Sequence, residues 1–164
     1  MKKNATLAIG LLCATMLFPQ LTHAYSILFG PSLFSPRSNN VDFFQDATIL
    51  YVKPGSADRY FSAPVFLPNG ATVTNIVFFF KDNSPAHIRF QMQRLHIFSN
   101  KTHLMCSYST QGSSFDWQRR NITKISFRDI NNNGFLYFIS AWFSEGQEQE
   151  LALRAVKIHY DVII

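Results

Sequence analysis

Short apolar runs broken by turn residues, without a sustained 3.6-residue period, carry the chain from about residue 46 to its end. The cleanest run is Glu150 to Ile164, where Val156, Ile158, Tyr160 and Val162 alternate with Lys157, His159 and Asp161, predicting a strand with one buried face. Ala71 to Lys81 becomes apolar on both faces, which predicts a strand covered by a second sheet on one side and by a loop, arm or partner on the other. Phe135 to Phe143 is also apolar on both faces and predicts a central strand. In His87 to Phe98, Ile88, Phe90 and Met92 share a face before the apolar phase moves to Leu95 and Ile97, which predicts a bulge near Gln93-Arg94. Ala47 to Val52, Arg59 to Ser62, His103 to Ser109 and Ile122 to Phe127 read as further short strands. Pro68-Asn69-Gly70, Ser99-Asn100-Lys101 and Asn131-Asn132-Asn133-Gly134 read as tight turns between them. The pattern predicts an all-β fold, an antiparallel β-sandwich of jelly-roll type over residues 46–164, with about seven to nine strands.

The start of the chain follows other rules. Lys2 and Lys3, an apolar stretch from Ala5 to Phe18, and the small-residue site Thr22-His23-Ala24 predict a secretory signal peptide over residues 1–24, cut between Ala24 and Tyr25. The apolar core is shorter than the roughly 20 residues that span a bilayer, so no transmembrane segment is expected after cleavage. The address is secreted or periplasmic. Residues 25–45, rich in Ser, Pro and Asn with scattered Phe29, Leu33 and Phe34, predict an irregular N-terminal arm that docks on the domain or on a neighbouring subunit.

Cleavage leaves about 140 of the 164 residues, enough for one domain with its own core. Only Cys106 of the two cysteines would remain, so no internal disulfide is expected, and its strand-like setting predicts a buried thiol. The formal charge of +5 falls to about +3 without Lys2 and Lys3, too mild to point to nucleic acid. Arg119-Arg120 with Lys124 and Arg128 forms the densest basic cluster, suited either to anionic glycans or lipid head groups or simply to a solvated face. All but one of the 17 phenylalanines follow residue 24, more than a small core requires, and some are expected to cover a subunit interface in a homo-oligomer.

The set Leu67-Pro68-Asn69-Gly70-Ala71-Thr72-Val73-Thr74, Lys81-Asp82-Asn83, the Arg94 region, Phe135-Leu136-Tyr137-Phe138 and Arg154-Ala155-Val156-Lys157-Ile158-His159-Tyr160 resembles a group of functionally uncharacterised bacterial secreted proteins. They carry an LPxGATVT, DN, YxxxV and RxVxIxY pattern. The resemblance covers roughly residues 47 to 161 and implies a jelly-roll β-sandwich that self-associates, without supplying catalytic residues.

No catalytic signature stands out. A Gly-x-Ser-x-Gly elbow is missing, phosphate-cradling glycine loops are missing, and Glu145, Glu148 and Glu150 read as solvated charges. His96 and His103 flank a predicted hairpin turn, yet a metal would need a third ligand from elsewhere, so neither a metal nor another cofactor is expected. Binding has more support. Trp117 beside Asp116, Arg119 and Arg120 offers a flat ring with adjacent polar groups in a segment, Gln111 to Asn121, that reads as a loop. The leading expectation is an exported, non-catalytic protein that binds a surface ligand such as a glycan through these residues, or that assembles with copies of itself. The alternatives are an extracellular hydrolase with a dispersed site drawing on His96, His103 or Asp116, and a structural envelope component.

Overall fold

The computed structural model describes residues 22–112, 114–145 and 150–163, which form an antiparallel β-sandwich of jelly-roll type. Its strands are β1 (Thr22–Phe29), β2 (Ser35–Pro36), β3 (Phe43–Gln45), β4 (Leu50–Val52), β5 (Tyr60–Val65), β6 (Thr72–Asp82), β7 (Ile88–His96), β8 (Thr102–Ser109), β9 (Ser114–Ile122), β10 (Phe135–Phe143) and β11 (Leu151–Ile163). One sheet, called A, runs β3-β4-β11-β6-β9 with β1 also on β11; the other, B, runs β2-β5-β10-β7-β8.

The core lies between the inner faces of β6 and β11 and those of β7 and β10. Phe78 of β6 stacks on Phe90 of β7 across the sandwich, with ring centroids 4.6 Å apart and planes 11° from parallel. Phe61 and Phe143 meet edge to face beside them, and Val156, Ile158 and Ile139 fill the rest of the layer. The period-two pattern of each long strand supplies these residues, because alternate positions point to one face of the sheet. Pro64 is tolerated within β5 because β2 reaches only Phe61 and Ser62, which leaves the proline beside an open edge. Gly70, at φ +81°, closes the turn into β6 in a conformation that side chains disfavour.

Three expectations meet a different structure. Residues 25–45 are not an irregular arm throughout. Tyr25, Ile27 and Phe29 alternate along β1, which pairs with β11 from Thr22↔Ile163 to Phe29↔Val156. Tyr25 stacks on Tyr160 at 5.7 Å, and Phe29 is buried. β11 is long, β4 pairs with it only at Leu153, and β1 completes the remaining edge. The predicted cut between Ala24 and Tyr25 falls within β1, while the rest of the predicted signal, residues 1–21, lies outside the described residues. Second, residues 123–127 form a connection rather than a strand, and β9 occupies the preceding residues 114–122. As an edge strand it is covered on neither face along most of its length, so it lacks the buried alternation that reveals inner strands. Third, β7 runs against β10 in unbroken register from Ile88↔Phe143 to His96↔Phe135. A bulge does fall at Met92/Gln93, where the sequence places it, but in the pairing with β8: Met92 opposes Cys106 and Gln93 opposes Leu104, so the extra residue is Met105 of β8 and not a residue of β7. The apparent phase change in β7 arises because its inner face continues as Arg94 and His96.

Cys106 is buried, and burial pushes its thiol up to about 11 against a small opposing hydrogen bond from the Met92 backbone. The Cys106 thiol should resist iodoacetamide at pH 8 in native protein and react within minutes in urea; fast labelling mapped to Cys106 in native protein would contradict its burial. Phe90→Ala should lower the unfolding free energy by about 3–5 kcal/mol in urea titrations, as for a large aromatic lost from a packed core. Gly112→Ala should also destabilise, because the added Cβ would lie 1.8 Å from the Ser84 carbonyl oxygen and 2.7 Å from Asp82 Oδ1.

Candidate functional site

β9 pairs with β6 so that Phe78 opposes Arg120 and Phe79 opposes Arg119. Phe78 points into the core, so Arg119 and Phe79 lie on the outer face of sheet A, and Arg120 lies on the inner side. There Arg120 reaches the open flank of the sandwich, with its guanidinium carbon 5.2 Å from the centre of the Tyr108 ring on β8. Trp117, two positions before Arg119, shares the outer face.

A hollow of about 480 Å³ opens on that face, lined by Leu28, Phe79, Trp117, Gln118, Arg119, Arg154 and Ala155. Each side chain arrives for a local reason. Phe79 is an outward apolar residue of β6 and lies opposite Ala155 of β11, whose small side chain leaves the middle open. The register of β11 against β6 slips between Leu153 and Ala155, which makes Arg154 the bulged residue. Its guanidinium carbon sits 5.0 Å from the centre of the Trp117 ring, a cation–π contact that braces the indole. Leu28, which is 60% exposed, supplies an apolar wall from β1. The Gln118 amide nitrogen donates to the Asp82 backbone carbonyl at 3.2 Å, which fixes the amide at the hollow's edge.

Of the four residues singled out in the sequence, the hollow unites Trp117 and Arg119. It does not include Arg120, on the inner side, or Asp116, an exposed residue near the start of β9 whose backbone N–H donates to the Ser114 hydroxyl. From Ser114 on, the candidate segment is thus an edge strand and not a loop. Arg154, Leu28 and Ala155 come from strands distant in sequence, so no local pattern could place them beside Trp117. The signal that existed was the apolar outer face of β6.

His96 and His103 do not face one another. His96 pairs its backbone with Lys101, and both imidazoles stand edge-on to the Phe135 ring, at 5.0 Å and 6.1 Å between centroids. Among the described residues no group of three or more His, Cys, Asp or Glu side chains could hold a metal ion, and no helix is long and apolar enough to cross a membrane.

No protein-family model matches the chain, and no curated protein matches it. Solved structures do share its fold. The C-terminal carbohydrate-binding module, of family 6, from the laminarinase LamC of Zobellia galactanivorans superposes with a TM-score of 0.51 at 13% identity, over 82% of this chain and 98% of that one. The paired family 22 binding module and catalytic module of a Clostridium thermocellum endo-1,4-β-D-xylanase, complexed with xylohexaose, gives 0.50 at 9% identity, over 87% of this chain and 28% of that one. At such identities the likeness is one of fold: this chain has the β-sandwich architecture found in carbohydrate-binding modules.

Proposed function

We propose that this is an exported, non-catalytic β-sandwich that binds a glycan in the hollow on the outer face of sheet A. The observation that carries the reading is the partly exposed Trp117 ring, 41% accessible, standing among the donors of Arg119 and Arg154 over an apolar floor. A sugar ring has the matching chemistry, with an apolar C–H face to lie against an indole and hydroxyls at its rim to accept from guanidinium N–H groups. The carbohydrate-binding modules that share the fold make a glycan the ligand class to test first. Export rests on the basic start, apolar stretch and small-residue site before Tyr25.

A hydrolase draws less support. Asp116 sits toward the start of β9, whereas His96 and His103 sit where β7 ends and β8 begins, at the other end of the sandwich.

On a glycan array the purified protein should bind selectively. Trp117→Ala should weaken that binding about tenfold or more, as for a central aromatic contact, and Arg154→Ala should weaken it less. Arg120→Ala should leave it unchanged. Undiminished binding by a folded Trp117→Ala protein would overturn the assignment.

A further inference from the structure

We infer that the end of the sandwich where β10 begins docks on an anionic lipid bilayer, independently of the glycan hollow. β5 ends at Val65 opposite Tyr137, and β7 ends at His96 opposite Phe135, so the turns that follow both strands gather at this end. Each presents a phenylalanine to solvent: Phe66 is 79% exposed and Phe98 is 81% exposed. Leu136, on the adjoining outer face of sheet B, is 57% exposed, and a shallow apolar hollow runs from it to Phe66. The turns are tied together, since Ile97 donates its N–H to the Gly134 carbonyl and the Asn132 amide donates to the Leu67 carbonyl. Side chains this exposed add nothing to the core, and their clustering on bonded turns calls for a partner.

The charges around them indicate which partner. The connection from β9 to β10 folds over this end: Ser126 donates its N–H to the Met105 carbonyl, and Phe127 covers Arg94. The Arg94 guanidinium carbon lies 3.9 Å from the Phe127 ring centre and 4.0 Å from that of Phe135, while its Nε is buried without a hydrogen-bond partner. Lys101, Lys124 and Arg128 are exposed around the rings, and among the described residues none is engaged by a carboxylate. Of the acidic residues here, Asp129 accepts a hydrogen bond from the Thr72 hydroxyl, and Asp161 sits opposite Thr72 on β11. Asp58, Asp82, Glu145 and Glu150 gather instead at the opposite end, where β5 and β11 begin. The cations at the aromatic end thus stand without carboxylate partners among the described residues, whereas at the other end Arg37 pairs with Asp58 and Arg59 with Glu145.

A second copy meeting this end about a two-fold axis would oppose like charges. An anionic bilayer neutralises the cations through its head groups and takes up protruding rings without needing a matching shape.

The test is co-sedimentation with vesicles of phosphatidylcholine alone or mixed with phosphatidylglycerol, with analytical ultracentrifugation in vesicle-free buffer. Binding should require phosphatidylglycerol. Phe66→Ser and Phe98→Ser should each weaken it roughly tenfold. Lys101→Glu combined with Lys124→Glu should weaken it at least about fivefold per site, more strongly at low salt. All four positions are exposed, so melting temperature and glycan-array binding should stay as in the parent protein. The proposal is overturned by absent binding, by equal binding to phosphatidylcholine alone, or by attachment that survives both phenylalanine substitutions, as anchoring through the apolar N-terminal stretch would. A dimer that the phenylalanine substitutions dissolve would overturn it as well.

Discussion

β6 has to satisfy two apolar faces at once, and much of the molecule follows from how it does so. Inward, Phe78 and Phe80 meet Phe90, which locks the two sheets at one separation. Outward, Val77 is buried while Phe79 is covered only in part. Burial of the inner face is worth a few kcal/mol for each aromatic and sets the register of every strand beside it, because a slip of one residue would bring the outer face inward. With that register set, Arg119 must lie beside Phe79 and Arg120 must lie behind it. The hollow is thus a consequence of core packing: Phe79, between the core residues Phe78 and Phe80, turns to the outer face, and β9 and β11 build around it.

The bulge in β11 completes this arrangement. Without the slip between Leu153 and Ala155, strict alternation from the inward-facing Leu153 would set Arg154 itself opposite Phe79 on the outer face. The same bulge sets Ala155 opposite Phe79, where a larger side chain would fill the middle. One irregularity therefore keeps the middle of the hollow open, with Arg154 at its side against the Trp117 ring.

The fold was legible where one face of a strand is buried. The alternation in β11 and the two-sided apolar run of β10 place those strands within a residue or so, since burial forces a period of two. Legibility failed at edges. β9 carries polar and aromatic residues on both faces because little covers either, and β1 hid its Tyr25, Ile27 and Phe29 alternation within a segment whose prolines and asparagines read as irregular. Arg94 and His96 misled for another reason: they occupy inner-face positions at the end of the sandwich, where aromatic rings take the place of aliphatic packing. Of the site, Trp117 and Arg119 were visible as neighbours in sequence. Arg120 and Asp116 are close to them in sequence yet lie outside the hollow, because alternation on a strand separates what a loop would keep together.

The central claim is that core register places a ligand-binding face at Trp117, and the indole N–H reports on it directly. In nitrogen–proton correlation spectra of the protein titrated with an oligosaccharide, the Trp117 indole signal should move saturably. The Phe79, Arg119 and Arg154 amides should move with it, while those of Arg120, Tyr108 and the outer face of sheet B stay in place. Saturable shifts centred away from Trp117, or an unmoved indole while the protein binds the sugar, would contradict the account.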